Sequence, residues 1–313
     1  MKKSLVLTAI AATLAAPAFA QSSVTIYGRL NVGAESQKIG DGDAKGAIVD
    51  NASRIGFKGT EDLGGGMKAM FLIEHGFDAS TGKADTTFWG RESWVGLATK
   101  FGTVKLGNLG FSEAYLATAD YISMHNHDTG TSSDALFGYV ATTALKNAVS
   151  YSTPSFGGLV GHVQYGEAIG QDNPLSVAAN YDAGALHLGF GYEELGDDKS
   201  TAVRGLYEMG AFTVGAYYNM VTGSGERNAW RLTGMYTMGN SEFHANYGMT
   251  DDVKGVANSG AAQWTLGYNY NLSKRTKLFA FYTNVINDPN AGYMSGAAGE
   301  DFSSAAVGIR HNF

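Results

Sequence analysis

In the stretch SRIGFKGTEDLGGG, residues 53–66, Arg54 and Lys58 alternate with Ile55 and Phe57. A β-strand sends successive side chains to opposite faces, so the cations share one side and the apolar residues the other. Further cations fall in similar settings. Arg29 shares a face with Thr25, Tyr27 and Asn31. Arg91 heads the set Arg91, Ser93 and Val95, which leaves Glu92 and Trp94 on the opposite side. Lys105 stands between Val104 and Leu106, and Lys146 precedes a strand expected over 149–153. These groups lack the neighbours that bond-making needs. What they offer is a field that attracts one sign of ion and repels the other.

Other candidate chemistries are weaker. His125, His127 and Asp128 lack a third well-spaced metal ligand. The run from Gly40 to Asp43 echoes a calcium loop without its later acidic ligand, so it reads as a solvated turn. His162, His187 and His244 lie on polar strand faces, but no G-x-S-x-G nucleophile motif accompanies them. The glycine runs at Gly64–Gly66 and Gly157–Gly158 are turn glycines, since no strand-to-helix context follows. No catalytic residue, metal or cofactor is expected.

The elements that must position the cations follow from composition and pattern. The chain has 313 residues, 43 of them glycine and only 4 proline, with 17 Tyr and 16 Phe. That mixture suits strands and tight turns. There is no cysteine, which excludes disulfides and thiolate metal sites. Lys2 and Lys3, the apolar run from Leu5 to Ala16, and Ala18-Phe19-Ala20 form an export signal. Cleavage after residue 20 leaves a mature domain over 21–313. The net charge is −7, and −9 once Lys2 and Lys3 are removed, which argues against a nucleic-acid partner.

After residue 20 no apolar run is long enough for a membrane-spanning helix, but alternation is clear. Val24, Ile26, Gly28, Leu30, Val32 and Ala34 oppose Thr25, Tyr27, Arg29, Asn31, Gly33 and Glu35. The same rhythm returns over 186–193, 212–219, 243–248 and 263–270. Turn signals fall near Gly65, Gly102, Gly157, Gly184, Gly210, Gly239 and Ser273. Two strands fit each interval between turns, and two more fit at each end. The count is sixteen, the even number of an antiparallel transmembrane β-barrel. A soluble sandwich would need a core of branched aliphatics. Here the apolar faces are rich in Tyr, Trp, Ala and Gly, with rings near strand ends as at a membrane interface.

One interval is too long: 55 residues separate Gly102 from Gly157. The excess, residues 111–146, is either a surface loop or a segment folded into the lumen, which sixteen strands leave wide enough to constrict. It carries the acidic candidates Glu113, Asp120, Asp128 and Asp134.

The motifs SRIGFKGTEDLGGGMKA (53–69), WGRESWVGLATKFGTVKLGN (89–108) and VGIRHNF (307–313) resemble the general trimeric porins of Gram-negative bacteria, in particular their beta-proteobacterial branch. The likeness runs from SSVTIYGRLNVG to the end of the chain and leaves out the loops. It implies a homotrimer in the outer membrane. Each barrel would have a long third loop folded into its lumen and would pass small hydrophilic solutes. It also implies contact with lipid and lipopolysaccharide, and a terminal aromatic, Phe313, read by the barrel-insertion machinery.

The resemblance further implies a basic cluster facing the inserted loop. Arg54 and Arg91 fall at matching positions, Lys146 stands where arginine is expected, and Arg29 and Lys105 complete the inward set. Such a cluster gives a modest anion preference despite the acidic chain, because charge at the narrowest point counts most. Lys58 is about 13 Å closer to the turn than Arg54 and is expected at the wider exit. Glu92 tests the register, since this phase turns a carboxylate toward lipid or a subunit contact. Two other classes are a plugged structural or adhesin barrel, which would not conduct, and a barrel enzyme.

Overall fold

The computed structural model describes residues 23–119, 135–143, 145–167 and 172–313. Sixteen antiparallel strands close into a barrel. They begin with β1 (Ser23–Ile39), β2 in two pieces (Lys45–Asp50 and Arg54–Gly64), β3 (Met67–Asp78), β4 (Glu92–Thr99) and β5 (Gly102–Asn108). After a long connection come β6 (Ala148–Ser152), β7 (Leu159–Tyr165), β8 (Leu175–Ala183), β9 (Leu186–Leu195) and β10 (Asp198–Met209). The set ends with β11 (Phe212–Thr222), β12 (Arg227–Met238), β13 (Ser241–Thr250), β14 (Ala261–Asn271), β15 (Thr276–Asn287) and β16 (Phe302–Asn312). Each strand pairs with the next, and β16 pairs with β1 from Arg29↔Asn312 to Ile39↔Phe302. Closure leaves no free sheet edge, which a chain in lipid requires.

The polarity is inverted relative to a soluble protein. Val24, Ile26, Leu188, Phe190, Leu266 and Val307 are exposed on the outer face. Asn31, Glu193, Asn219, Arg231, Gln263 and Thr283 are buried on the inner one. Near the short-turn end, outward rings on neighbouring strands form a girdle. Phe212 contacts Tyr236 at 4.7 Å, Tyr236 contacts Phe243 at 6.4 Å, and Phe243 contacts Tyr268 at 5.1 Å between centroids. Aromatic rings in a belt mark a bilayer interface.

Strands reverse at all seven sites read from the sequence. Three of the two-residue reversals begin at Gly184, Gly210 and Gly239, with φ of 61°, 62° and 59°. Left-handed backbone of this kind matches the strand twist of a two-residue hairpin and favours glycine. Connections at the opposite end are mostly longer, although β9 and β10 are joined by only Gly196 and Asp197. Between β13 and β14 the exposed Asp252 carboxylate accepts backbone N–H bonds from Asn258, Gly260 and Ser259, which hold its pKa below the ordinary value.

The break in β2 changes which side faces water. Both pieces pair with β1, Asp50 with Val32 and Arg54 with Arg29. Four residues on β2 therefore span three on β1, a β-bulge with Ala52 at φ 59°. Asn31 fixes it: its backbone N–H donates to Ser53 Oγ (3.0 Å) and its side chain to Asn51 O (2.9 Å). The extra residue inverts the phase. Ile48 faces outward with Ala34, whereas Arg54, an even number of residues later, faces the lumen with Arg29.

The described parts of the long connection lie against the inner wall. The helix α1 (Glu113–Thr118) starts at Ser112, whose Oγ accepts the Tyr115 N–H at 3.0 Å. Backbone N–H groups along the connection donate to inward side chains on four strands, β7, β8, β11 and β14. Glu113 donates to Gln164, Ala114 to Ser176, Gly138 to Asn219 and Ala135 to Gln263. Phe137 packs on Tyr217 and under Arg231, whose Cζ is 4.6 Å from the ring centroid.

Candidate functional site

Four segments bring charge to one place. β1 contributes Tyr27 and Arg29, β2 Arg54 and Lys58, β3 Glu74, and the start of β4 Arg91 and Glu92. Phe111, Tyr115 and Leu116 of the connection face them. The space between is a cavity of about 440 Å³. Its lining side chains carry four cations (Arg29, Arg54, Lys58 and Arg91) and two carboxylates (Glu74 and Glu92), an excess of two positive charges.

Glu74 organises the cluster. Arg91 Nε donates to its Oε1 at 2.6 Å, Tyr27 Oη donates to its Oε2 at 2.9 Å, and Arg54 Nε lies 3.9 Å from Oε2. The Arg91 guanidinium sits 5.8 Å from the Phe111 ring centroid, so the connection contacts the cluster directly. Lys58 Nζ is 4.9 Å from the Tyr27 ring centroid, and Arg29 Nε donates to Asn312 Oδ1 at 3.0 Å. Arg29 and Arg54 are cross-strand neighbours, an arrangement that costs a few tenths to about 1 kcal/mol on a sheet. Like charges opposed across a ladder add nothing to the fold; they concentrate positive potential in this cavity.

Two expectations are corrected, one of phase and one of position. Glu92 pairs with Glu74 and faces inward, as does Trp94, whose Nε1 donates to Glu92 Oε2 at 2.8 Å. Ser93 and Val95 face outward, Val95 being 57% exposed. Arg91 nevertheless reaches the lumen, because it precedes the first paired residue and is free of strand parity. Its Cδ approaches the inner side of Gly76, while Phe88 and Trp89 just before it cover the outer face at His75 and Phe57. The register error thus placed Glu92 on the wrong face and Arg91 on the right one for the wrong reason. Lys58 is the second correction: it lines the same cavity as Arg54 rather than a separate exit.

The remaining candidates are dispersed. Lys105 faces inward, 4.8 Å from the Trp94 ring centroid. Lys146 lines a neighbouring cavity with Asp78, Lys83, Asp85 and Arg91, so it meets the cluster only through Arg91. Glu113 turns to the wall, with Oε2 3.8 Å from His162 Nδ1, and does not line the cationic cavity. Asp120, Asp128 and Asp134, with His125 and His127, lie outside the described residues. So does the export signal. Among the described residues no cluster of His, Cys, Asp or Glu is arranged to hold a metal. The acids that line the cationic cavity, Glu74 and Glu92, belong to the wall. Glu74 was missed because Met70, Leu72, Phe71 and Ile73 make both faces of β3 apolar, so alternation gives no phase there.

Comparison with known proteins agrees along the whole chain. The Gram-negative porin family matches residues 6–290. Outer membrane porin protein 32 of Delftia acidovorans is 31% identical over 365 aligned residues, covering 100% of both chains. Major outer membrane protein P.IB of Neisseria meningitidis serogroup A is 28% identical, also over 100% of both. Among solved structures, the anion-selective porin from Comamonas acidovorans superposes with a TM-score of 0.78 at 26% identity, covering 94% of this chain and 100% of that one. OmpT of Vibrio cholerae in its trimer form shares the fold, with a TM-score of 0.69 at 17% identity and coverage of 93% and 99%. With a closed sixteen-stranded barrel, an apolar outer wall and a charged lumen already in place, these matches establish that the chain belongs to the Gram-negative porins, channels for passive diffusion across the outer membrane.

Proposed function

We propose that this channel passes small hydrophilic solutes with a preference for anions, selected where Arg29, Arg54, Lys58 and Arg91 face the connection around α1. The observation that carries this reading is the excess of four cationic over two anionic side chains in that cavity. An ion partly stripped of water responds to the charge beside it more than to the net charge of the chain. The anion-selective Comamonas porin, with the same fold, accords with this. The test is a reversal potential in a planar bilayer under a salt gradient. Anion preference is expected, and cation preference in the wild-type channel would end the proposal. A barrel that never conducts would favour a plugged structural role.

The working unit we propose is a homotrimer. Its support is an outer-wall patch where Ser93 and Asn108 face outward beside the 63%-exposed Phe88. Polar groups on a lipid-facing wall are costly, and a second barrel would shelter them. Conductance steps grouped in threes are expected. The remaining outer wall faces lipid and lipopolysaccharide, and the outward ring of Phe313 is the proposed mark for the insertion machinery. We also propose that export removes residues 1–20. Mass spectrometry of the mature chain should then place Gln21 first, and a retained leader would contradict this.

A further inference from the structure

The seat of α1 on the inner wall is built from two omissions and one carboxylate, all on β9. A Cβ on Gly189 would overlap the Ala117 carbonyl, and one on Gly191 would lie 2.7 Å from the Ala114 carbonyl. Only glycine lets the helix come this close. Two residues further along, Glu193 has no exposed surface. Its Oε2 accepts the backbone N–H groups of Val140 (2.7 Å) and Ala141 (2.9 Å), and the Ser200 hydroxyl at 3.3 Å. Its Oε1 accepts the Ser112 hydroxyl and, at 3.4 Å, that of Thr142.

Ser112 caps α1, whereas Val140 to Thr142 belong to the returning limb of the connection. One buried carboxylate therefore ties both limbs to the wall at a single point. Satisfied by this many donors, it holds them more firmly than neutral hydrogen bonds would. The opposite side of the same segment presents Phe111, Tyr115 and Leu116 to the cationic cavity.

We propose that Glu193 is a positioning residue that sets the bore of the channel, acting through α1 on the gap between Phe111, Tyr115 and the Arg54–Arg91 cluster. The proposal rests on that gap being the narrow passage, but not on which ion the passage prefers. Its readouts are therefore the size and steadiness of the current, with ion preference as a separate measurement.

The experiment uses full-length protein in planar bilayers, with folding verified by heat-modifiable migration. Glu193→Ala should raise open-channel noise several-fold and broaden the conductance distribution, because both limbs lose their tie. Glu193→Gln should stay closer to wild type than Glu193→Ala. Its amide oxygen still accepts the two backbone N–H groups, and the hydroxyls can turn to accept from its nitrogen. Gly191→Ala should act in the opposite sense, lowering conductance by pushing α1 off the wall toward the arginines. Wild-type conductance and noise in both Glu193→Ala and Gly191→Ala would overturn the proposal. So would a Glu193→Gln channel with normal noise but a shifted reversal potential, since Glu193 would then act on ions by its charge. If Glu193→Ala does not fold, Gly191→Ala alone decides. An anion preference that fails with these current effects intact would dispose of the selectivity reading and leave this one standing.

Discussion

Replacing Arg54 and Arg91 together by alanine will abolish the anion preference or convert it to a cation preference. The cavity then holds Arg29 and Lys58 against Glu74 and Glu92, and its positive excess is gone. A unit charge about 6 Å from a passing ion in water-like surroundings acts on it with about 0.7 kcal/mol. Attraction of the anion and repulsion of the cation add, so each arginine is worth about 1.4 kcal/mol in the permeability ratio, about tenfold, before screening. In about 0.1 M salt, screening roughly halves the energy, leaving about fourfold per arginine and more than tenfold for the pair. The effect should shrink in about 1 M salt, where the screening length falls to about 3 Å. A reversal potential indistinguishable from wild type at low salt would mean that the cluster only faces a wide solvated lumen.

Glu74→Gln should move selectivity the other way and disturb the site that carries it. The substitution keeps the volume, raises the cationic excess from two to three, and removes the carboxylate that holds Arg91 at 2.6 Å and Tyr27 at 2.9 Å. By the same arithmetic the anion-to-cation ratio should rise about fourfold in about 0.1 M salt. The released guanidinium should also let conductance fluctuate more. Combining Glu74→Gln with Arg91→Ala separates the two effects, since neighbours sharing an ion pair do not add. If Glu74→Gln leaves the reversal potential unchanged, its carboxylate is part of the wall's scaffolding and contributes nothing to selection.

Much of this architecture was legible because most strands carry two chemically distinct faces. Val24 to Glu35 alternate so cleanly that side, register and environment follow together, and glycines mark the hairpins between strands. Legibility failed where alternation or punctuation did. β3 is apolar on both faces, which hid Glu74. At Gly90–Arg91 the chain leaves strand geometry before β4 begins, so counting alternate residues from Arg91 put Glu92 and Trp94 on the wrong face. Ala52 adopts φ 59° with a Cβ in place, so no glycine announced the bulge that turns Arg54 inward. Glu113 illustrates a third limit: an acid on a long connection can face the solute or the wall. A hydrogen bond from its backbone to Gln164 settles which, and nothing local encodes that partner.

The seam between β1 and β16 has a kinetic consequence. Arg29 and Asn312, which meet across it, are 283 residues apart in sequence. Every other ladder joins hairpin neighbours or nearly so, and can form early at little loop-closure cost. The last ladder must wait for almost the entire polypeptide. Until it forms, two strands present unpaired N–H and C=O groups, a template for joining the wrong chain. Closure is therefore both the slowest event and the one that ends the danger. A chain of this topology has to be kept apart from its copies between leaving one membrane and completing itself in the next.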